Sequence, residues 1–327
     1  MKRRLLLQLF ACAMMALPGG ALAQPVTKTY RLASLTVGSP IPLNSPNASA
    51  ILPILAQHGY SVGQNLEYQP YGAALQTALL PQLAQSIAAN KIDAVVAFGY
   101  PAAAAMKGTG IPTVVAAGAG DPVATGLIQS LAHPGGNITG ISDNAAMLST
   151  KRLDLLKQSV PKIRKVAMLW NKSDLGMTLR YQSSADAAKA LGVTVQPLGV
   201  GEPDDFGDAF SAMDKNPPDA ILMVSDPLTI LNRARVFEYA NAHRIPAIYE
   251  NDPYVRAGGL MSYGADPKES FGRAASLIER IFKGTNPADL PFEEPTRYLF
   301  VINLKAAKLI GFDFPPNVLA LADEVIE

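Results

Sequence analysis

From Tyr30 onward the chain alternates between short runs dense in Val, Ile, Ala, Leu and Phe and longer stretches in which apolar residues recur every three or four positions. The short runs Tyr30 to Val37, Ala94 to Phe98, Thr113 to Ala117, Val166 to Trp170, Ala220 to Val224 and Ala247 to Tyr249 are continuous rather than alternating. Strands covered on both faces have that pattern. The helical spacing predicts helices over Ala48 to His58, Ala74 to Ala89, Pro101 to Lys107, Met147 to Ser159, Leu175 to Leu191, Asp205 to Lys215, Pro227 to His243 and Glu269 to Phe282. Strand, helix and strand in repetition imply an α/β fold with parallel sheets and helices on both faces.

The pattern divides into two halves, from Tyr30 to about Ile141 and from about Lys165 to Tyr263, which predicts two lobes rather than one large sheet. Residues 30–142 with about 265–292 form lobe 1 in this reading, and about 143–264 form lobe 2. Crossings fall near Gly140 to Ser149 and near Gly264, with a third crossing or a surface strap at the Pro-rich stretch Asn286 to Pro295. The pattern does not assign residues 293–327 to either lobe.

The junctions after the strands are also repeated. Gly99-Tyr100-Pro101-Ala102, Gly118-Ala119-Gly120-Asp121-Pro122, Asn171-Lys172-Ser173-Asp174, Ser225-Asp226-Pro227 and Glu250-Asn251-Asp252-Pro253 place small, polar or Pro residues between a strand and a helix. Pro suits a first helical turn, and Asp or Ser before it can cap. Ligands of open α/β sheets bind at such carboxyl ends, where helix N-termini attract anions. A cleft between the lobes would therefore be lined by Ser39 from the loop Gly38 to Pro46, Gly99, Tyr100, Pro101, Ala102, Asp121, Asn171, Ser173, Asp174, Ser225, Asp226, Tyr249, Asn251 and Tyr263. Tyr100, Trp170, Tyr249, Tyr254 and Tyr263 stand at or near strand ends, where a ring can stack on an apolar or aromatic ligand.

The N-terminus departs from this pattern. Lys2, Arg3 and Arg4 precede an apolar run from Leu5 to Leu17, and Ala21-Leu22-Ala23 supplies a small-x-small site, so residues 1–23 read as a signal peptide cleaved after Ala23. The apolar run spans about 20 Å as a helix, short of the roughly 30 Å hydrocarbon core of a bilayer. Leu9-Phe10-Ala11-Cys12 loosely resembles a lipobox, but cutting before Cys12 leaves too short an apolar region. The leader holds three of the 28 Lys and Arg residues and none of the 27 Asp and Glu, which leaves 25 bases against 27 acids beyond Ala23. It also holds the only cysteine, so the exported chain has no disulfide and no thiolate. With 49% hydrophobic and 17% charged residues and a formal net charge of +1 over the whole chain, both disorder and nucleic-acid binding are disfavoured.

Catalytic signatures are missing. His58, His133 and His243 are far apart and match no metal-ligand spacing. There is no G-x-S-x-G elbow and no phosphate-binding G-x-x-x-x-G-K-[ST] loop, and Gly118-x-Gly120 lacks the third glycine of a dinucleotide fingerprint. His58 and His243 fit helix C-termini, and Asp204-Asp205 fits a helix start. Asp121, Asp226 and Asp252 each precede a Pro, where they can cap a helix or meet a ligand ammonium. No enzymatic activity and no cofactor are expected.

The sequence resembles the bacterial ABC-transporter substrate-binding proteins, in the family that includes tryptophan-binding members. The resemblance rests on His58-Gly59-Tyr60 to Gly63-Gln64-Asn65, Asp121-Pro122-Val123, the Ser-Leu-Ala-x-Pro-Gly-Gly-Asn-x-Thr-Gly run ending at Gly140, and Lys151-Arg152-Leu153-x-Leu155-Leu156. Gly258 to Gly264, Pro287 to Pro291, Val301 to Lys305 and Ala322 to Glu327 continue it over nearly the whole mature chain. It departs at Gly99-Tyr100-Pro101-Ala102-Ala103, where the family is similar to Gly-Thr-Pro-Ala-Ala, and at Asn171-Lys172-Ser173-Asp174, where Asn-Pro-Ser-Asn is common. The resemblance implies a type I periplasmic-binding-protein fold, two Rossmann-like lobes joined by a hinge of crossing segments. It further implies a monomer in the periplasm that captures a small amino acid-like or aromatic carboxylate ligand and delivers it to an ABC permease in the inner membrane. In this reading the helix start near Pro101 holds a ligand carboxylate, Asp121 or Asp226 an ammonium, and Tyr100, Tyr249 and Tyr263 an apolar body, with closure about crossings near Ser142 and Gly264. The alternative is a ligand-sensing periplasmic subunit of a signalling receptor.

Overall fold

Two sheets organise the chain. The computed structural model describes residues 28–327, so the leader, its cleavage site and Cys12 lie outside the described residues. The first lobe runs β1 (Tyr30–Thr36), α1 (Pro46–Gln57), β2 (Leu66–Gly72), α2 (Leu80–Ala89), β3 (Ala94–Phe98), α3 (Tyr100–Met106), β4 (Thr113–Ala117) and β5 (Ile138–Gly140). Its strands are all parallel, in the order β2-β1-β3-β4-β5.

The second lobe runs α4 (Ala145–Ser159), β6 (Lys165–Asn171), α5 (Leu175–Ala190), β7 (Thr194–Val200), α6 (Asp205–Lys215), β8 (Ala220–Met223), α7 (Pro227–Leu231), α8 (Arg233–His243), β9 (Ala247–Tyr249), α9 (Asp252–Arg256) and β10 (Met261–Ala265). Helix α10 (Pro267–Phe282) then returns to the first lobe, burying Ala274, Ala275, Leu277 and Ile278 in one core with Leu32, Leu55, Val96 and Val114. The chain ends in β11 (Tyr298–Asn303), α11 (Leu304–Ile310), α12 (Pro316–Leu319) and β12 (Glu324–Ile326), and the second sheet has the order β12-β11-β10-β9-β8-β6-β7. Only the β10–β11 pair in it is antiparallel. The C-terminal segment therefore completes the second lobe.

The six apolar runs all form strands, and the differences from expectation have local causes. β2 and β7 are edge strands of mixed polarity containing Pro70 and Pro197, and an edge is where a strand tolerates a residue without an N–H. Their sequences therefore lack the continuous apolar signature. The helix expected from Ala74 starts later, because Ala74 and Leu75 take φ of 48° and 66° and a short 3₁₀ turn at Thr77–Leu79 precedes α2. The single helix expected over Pro227 to His243 breaks at Asn232 into α7 and α8.

The segments joining the lobes are hydrogen-bonded to one another. Ser142 N donates to Glu293 O at 2.7 Å and Glu293 N to Gly140 O at 2.8 Å, tying the first crossing to the third. Asp266 N donates to Arg297 O at 3.0 Å, tying the second to the third. The Glu269 carboxylate accepts from the Thr296 hydroxyl, Arg297 N, Thr296 N and Arg273 Nε, and although burial pushes its pKa upward these donors hold it at about 2. Gly264 ends this region under tight constraint, since a methyl group there would clash with Glu250 O. Gly264→Ala is expected to destabilise the protein by about 3 kcal/mol or more through overpacking, a loss that urea unfolding measures.

Candidate functional site

The five junctions named from the sequence lie at the carboxyl ends of parallel strands, and there the lobes meet. A methyl group on Gly120 would stand 3.0 Å from Gly176 Cα, one on Gly176 would stand 3.1 Å from Tyr100 Cβ, and one on Gly38 would stand 3.6 Å from Pro227 Cβ. The loop after β4 and the start of α5 thus touch backbone to backbone, which larger side chains would prevent. Leu75 packs against the cores of both lobes. The cleft is closed in this structure.

Its second-lobe wall is acidic. Asp174 caps α5, accepting from Met177 N at 3.2 Å, and Asp226 caps α7, accepting from Thr229 N at 2.8 Å, with the Thr229 hydroxyl returning the bond from Asp226 N in a capping box. Asn171 Nδ2 donates to the other Asp226 oxygen at 2.5 Å. Both carboxyl groups are buried, and burial is the main cause that raises their pKa, to about 7 for Asp174, where the nearby Asp226 charge adds to it. Half-buried Tyr100 lies near Asp174 from the first lobe, and burial, with the Asp174 charge adding to it, raises its hydroxyl pKa.

Behind this wall lies a cluster of buried ions. Glu250, next after β9, accepts from Arg152 Nη1 of α4 at 2.9 Å, Arg180 Nη1 of α5 at 2.7 Å and Ser225 N at 2.8 Å. Burial pushes its carboxyl upward, but the two guanidinium groups outweigh that and hold it below the usual range. Arg152 Nε donates to Tyr263 O at 2.7 Å. Arg180 Nη2 is ion-paired with Asp143 in the first crossing, and the same Asp143 oxygen accepts from Gly120 N at 3.2 Å.

Tyr100, Asn171, Asp174, Ser225 and Asp226 thus come together, and Asn251 joins through Ser225 at 3.4 Å. Others do not. Asp121 is exposed, and its Oδ1 closes its own turn on Val123 N and Ala124 N. Tyr249 is 1% exposed, packed edge-on against Phe237 and stacked on Tyr254, so it offers no wall to a ligand. Trp170 is buried and stacked on Tyr181 with ring centroids 3.7 Å apart, and Tyr263 stacks on Tyr298. Ser39 and Ser173 are exposed, with Ser173 Oγ beside Gly201. At the start of α3, Gly99 N bonds to Ala117 O, Pro101 has no N–H and Ala102 is fully buried, which leaves few donors for a carboxylate.

Sequence reasoning did not count Asp143, Arg152, Arg180 or Glu250 among the cleft residues, although it named Glu250 in a junction and Arg152 in a family-like run. One signal was present. Arg180 occupies the buried stripe of α5, in register with Met177, Ser184 and Ala187, where a charge needs an explanation.

Two α/β lobes with crossing connections, closed over a polar wall, define a binding protein of the type I periplasmic class. The profile of the family described as ABC transporter substrate binding protein matches residues 46–326, and the chain belongs to that family. Its members are substrate-binding proteins and not enzymes. A tyrosine-binding protein of Clostridioides difficile (strain R20291) is 26% identical over 257 residues, which cover 78% of this chain and 74% of that one. A conserved domain protein from Vibrio cholerae has a similar structure, with a TM-score of 0.84 and 25% identity over 91% of this chain and all of the other. The ABC domain in complex with L-Trp from Streptococcus pneumoniae gives a TM-score of 0.81 at 25% identity, with the same coverage.

The Asp174 carboxyl gives a pH prediction. Its folded pKa of about 7 lies above the ordinary aspartate value of 3.8, so the folded state holds the extra proton. Its contribution to stability is fully present below pH 4 and is lost as pH rises through about 7, with a slope of up to about 1.4 kcal/mol per pH unit. Urea melts of the ligand-free protein at successive pH values should show this loss, and Asp174→Asn should flatten it.

Proposed function

We propose that this chain is the extracytoplasmic solute-binding component of an ABC importer, exported by cleavage after Ala23, which captures an aromatic amino acid between its lobes as a monomer and delivers it to a membrane permease. The observation that carries the ligand class is the pair of buried carboxyl groups, Asp174 and Asp226, in the closed cleft beside Tyr100. Two acids sharing one dry wall repel each other and are relieved by a cation, so an ammonium group fits there. Tyr100 supplies an aromatic surface on the opposite lobe for the ligand body. The tyrosine-binding relative and the L-Trp complex support the same class. Closing the lobes removes the ligand from water and presents a distinct shape to the permease.

A thermal-shift screen of the chain from Gln24 against L-tyrosine, L-tryptophan, sugars and nucleosides tests the proposal. A specific ligand at about 100 times its dissociation constant stabilises the protein by roughly 2.7 kcal/mol. The aromatic amino acids should raise the melting temperature and the sugars and nucleosides should not; a response confined to sugars would refute the ligand class. Asp174→Asn, which removes a charge facing the ammonium, should weaken L-tyrosine binding about tenfold in calorimetry.

A further inference from the structure

An amino acid has a carboxylate as well as an ammonium, and the start of α3 leaves few donors for one. The buried ion cluster has a donor available. Arg180 is 6% exposed, yet its Nε has no hydrogen-bond partner among the described residues, and its Nη2 meets only the Asp143 ion pair. Arg152, equally buried on the same Glu250, differs, because its Nε is satisfied by Tyr263 O. On the facing side Asp143 Oδ1 is buried and also lacks a partner. An unsatisfied donor on a buried charged group is costly to keep, so a guanidinium edge of this kind favours an incoming acceptor.

The edge also lies where closure occurs. Asp143 accepts from Gly120 N, and Gly120 is the residue in backbone contact with Gly176 at the start of α5. Arg180 lies on that same helix, and its other nitrogen is anchored by Glu250. The charges of Arg152 and Arg180 are already balanced by Glu250 and Asp143. A ligand with only a carboxylate would bring an excess negative charge toward Asp174 and Asp226, whereas a zwitterion adds none.

We propose that Arg180 is the residue that binds the ligand's carboxylate, through its Nε and Nη2 edge, with Asp143 occupying Nη2 until the ligand arrives. This rests on the amino acid reading of the cleft and narrows it to zwitterions. A carboxylate accepts two parallel bonds from that edge, and the bond from Glu250 keeps the fork oriented. When the ligand displaces Asp143 from Nη2, Asp143 keeps its bond from Gly120 N.

Calorimetry with two pairs of probes, L-tyrosine against tyramine and L-tryptophan against tryptamine, tests this, since each pair differs only by the carboxylate. The wild-type protein should prefer the amino acid in each pair. In Arg180→Gln that preference should fall about tenfold or more, while amine binding changes by less than about threefold. A folded Arg180→Gln protein that loses amino acid and amine alike would assign Arg180 a structural role and overturn the proposal, as would a preference that survives the substitution. If Arg180→Gln does not fold, Asp143→Asn probes the same contact from its other side. It removes the competing charge and should strengthen the preference for the amino acid, and an unchanged or weakened preference would overturn the proposal. Absence of wild-type binding to all four probes would overturn the amino acid reading together with this one, whereas amino acid binding that the variants leave unaltered would overturn this one alone.

Discussion

Glu250 holds together parts of the second lobe that are distant in sequence. A single buried carboxylate receives Arg152 from α4, Arg180 from α5 and the Ser225 N–H from the loop after β8, while Arg152 also reaches the backbone of β10. Burying such a group costs several kcal/mol before its partners offset it, and an apolar cluster of equal volume is often as stable. Stability alone is therefore a weak reason for it to be there. Its effect is positional, because it fixes α4 and α5 relative to the strand ends that carry the cleft wall, and it leaves the other guanidinium edge of Arg180 to Asp143 in the first crossing.

Closure depends on that frame and on two residues without side chains. Gly120 and Gly176 allow the lobes to touch backbone to backbone, and the crossings are tied to one another at Ser142, Glu293, Asp266 and Arg297. The three crossings are therefore one hydrogen-bonded unit and not three separate linkers. Asp174 and Asp226 carry two tasks, capping α5 and α7 while facing the cleft. The same hydrogen bonds that hold their oxygens in place also keep the acidic wall fixed.

Much of this was legible in the sequence because it is local. Continuous apolar runs marked the inner strands, and the Asp-Pro and Asn-x-Ser-Asp junctions marked the cleft side, since capping and turn chemistry act over three or four residues. The edge strands β2 and β7 were hidden because one partner and a Pro give them no continuous apolar run. The site was harder. Asp121 and Asp226 look alike in sequence, each before a Pro, yet one lies exposed on its own turn and the other is buried beside Asn171. Which of two such residues meets the cleft depends on packing between elements distant in sequence. Tyr249 and Trp170 stand near strand ends just as Tyr100 does, but their rings found partners inside the second lobe. Arg180 and Glu250 are 70 residues apart and have no shared motif that would pair them.

The return of α10 to the first lobe has a consequence for the order in which the chain can fold. Lobe 1 has all its strands once β5 is made, but its core still lacks Ala274, Ala275, Leu277 and Ile278 until residues beyond the second lobe's β10 have been added. Lobe 2 in turn lacks its outer strands until β11 and β12, which follow α10 in the chain, are added. Each lobe is therefore built from two stretches of chain separated by part of the other. The core of the first lobe closes when α10 is added and the sheet of the second when β11 and β12 are, so the first lobe can be finished before the second.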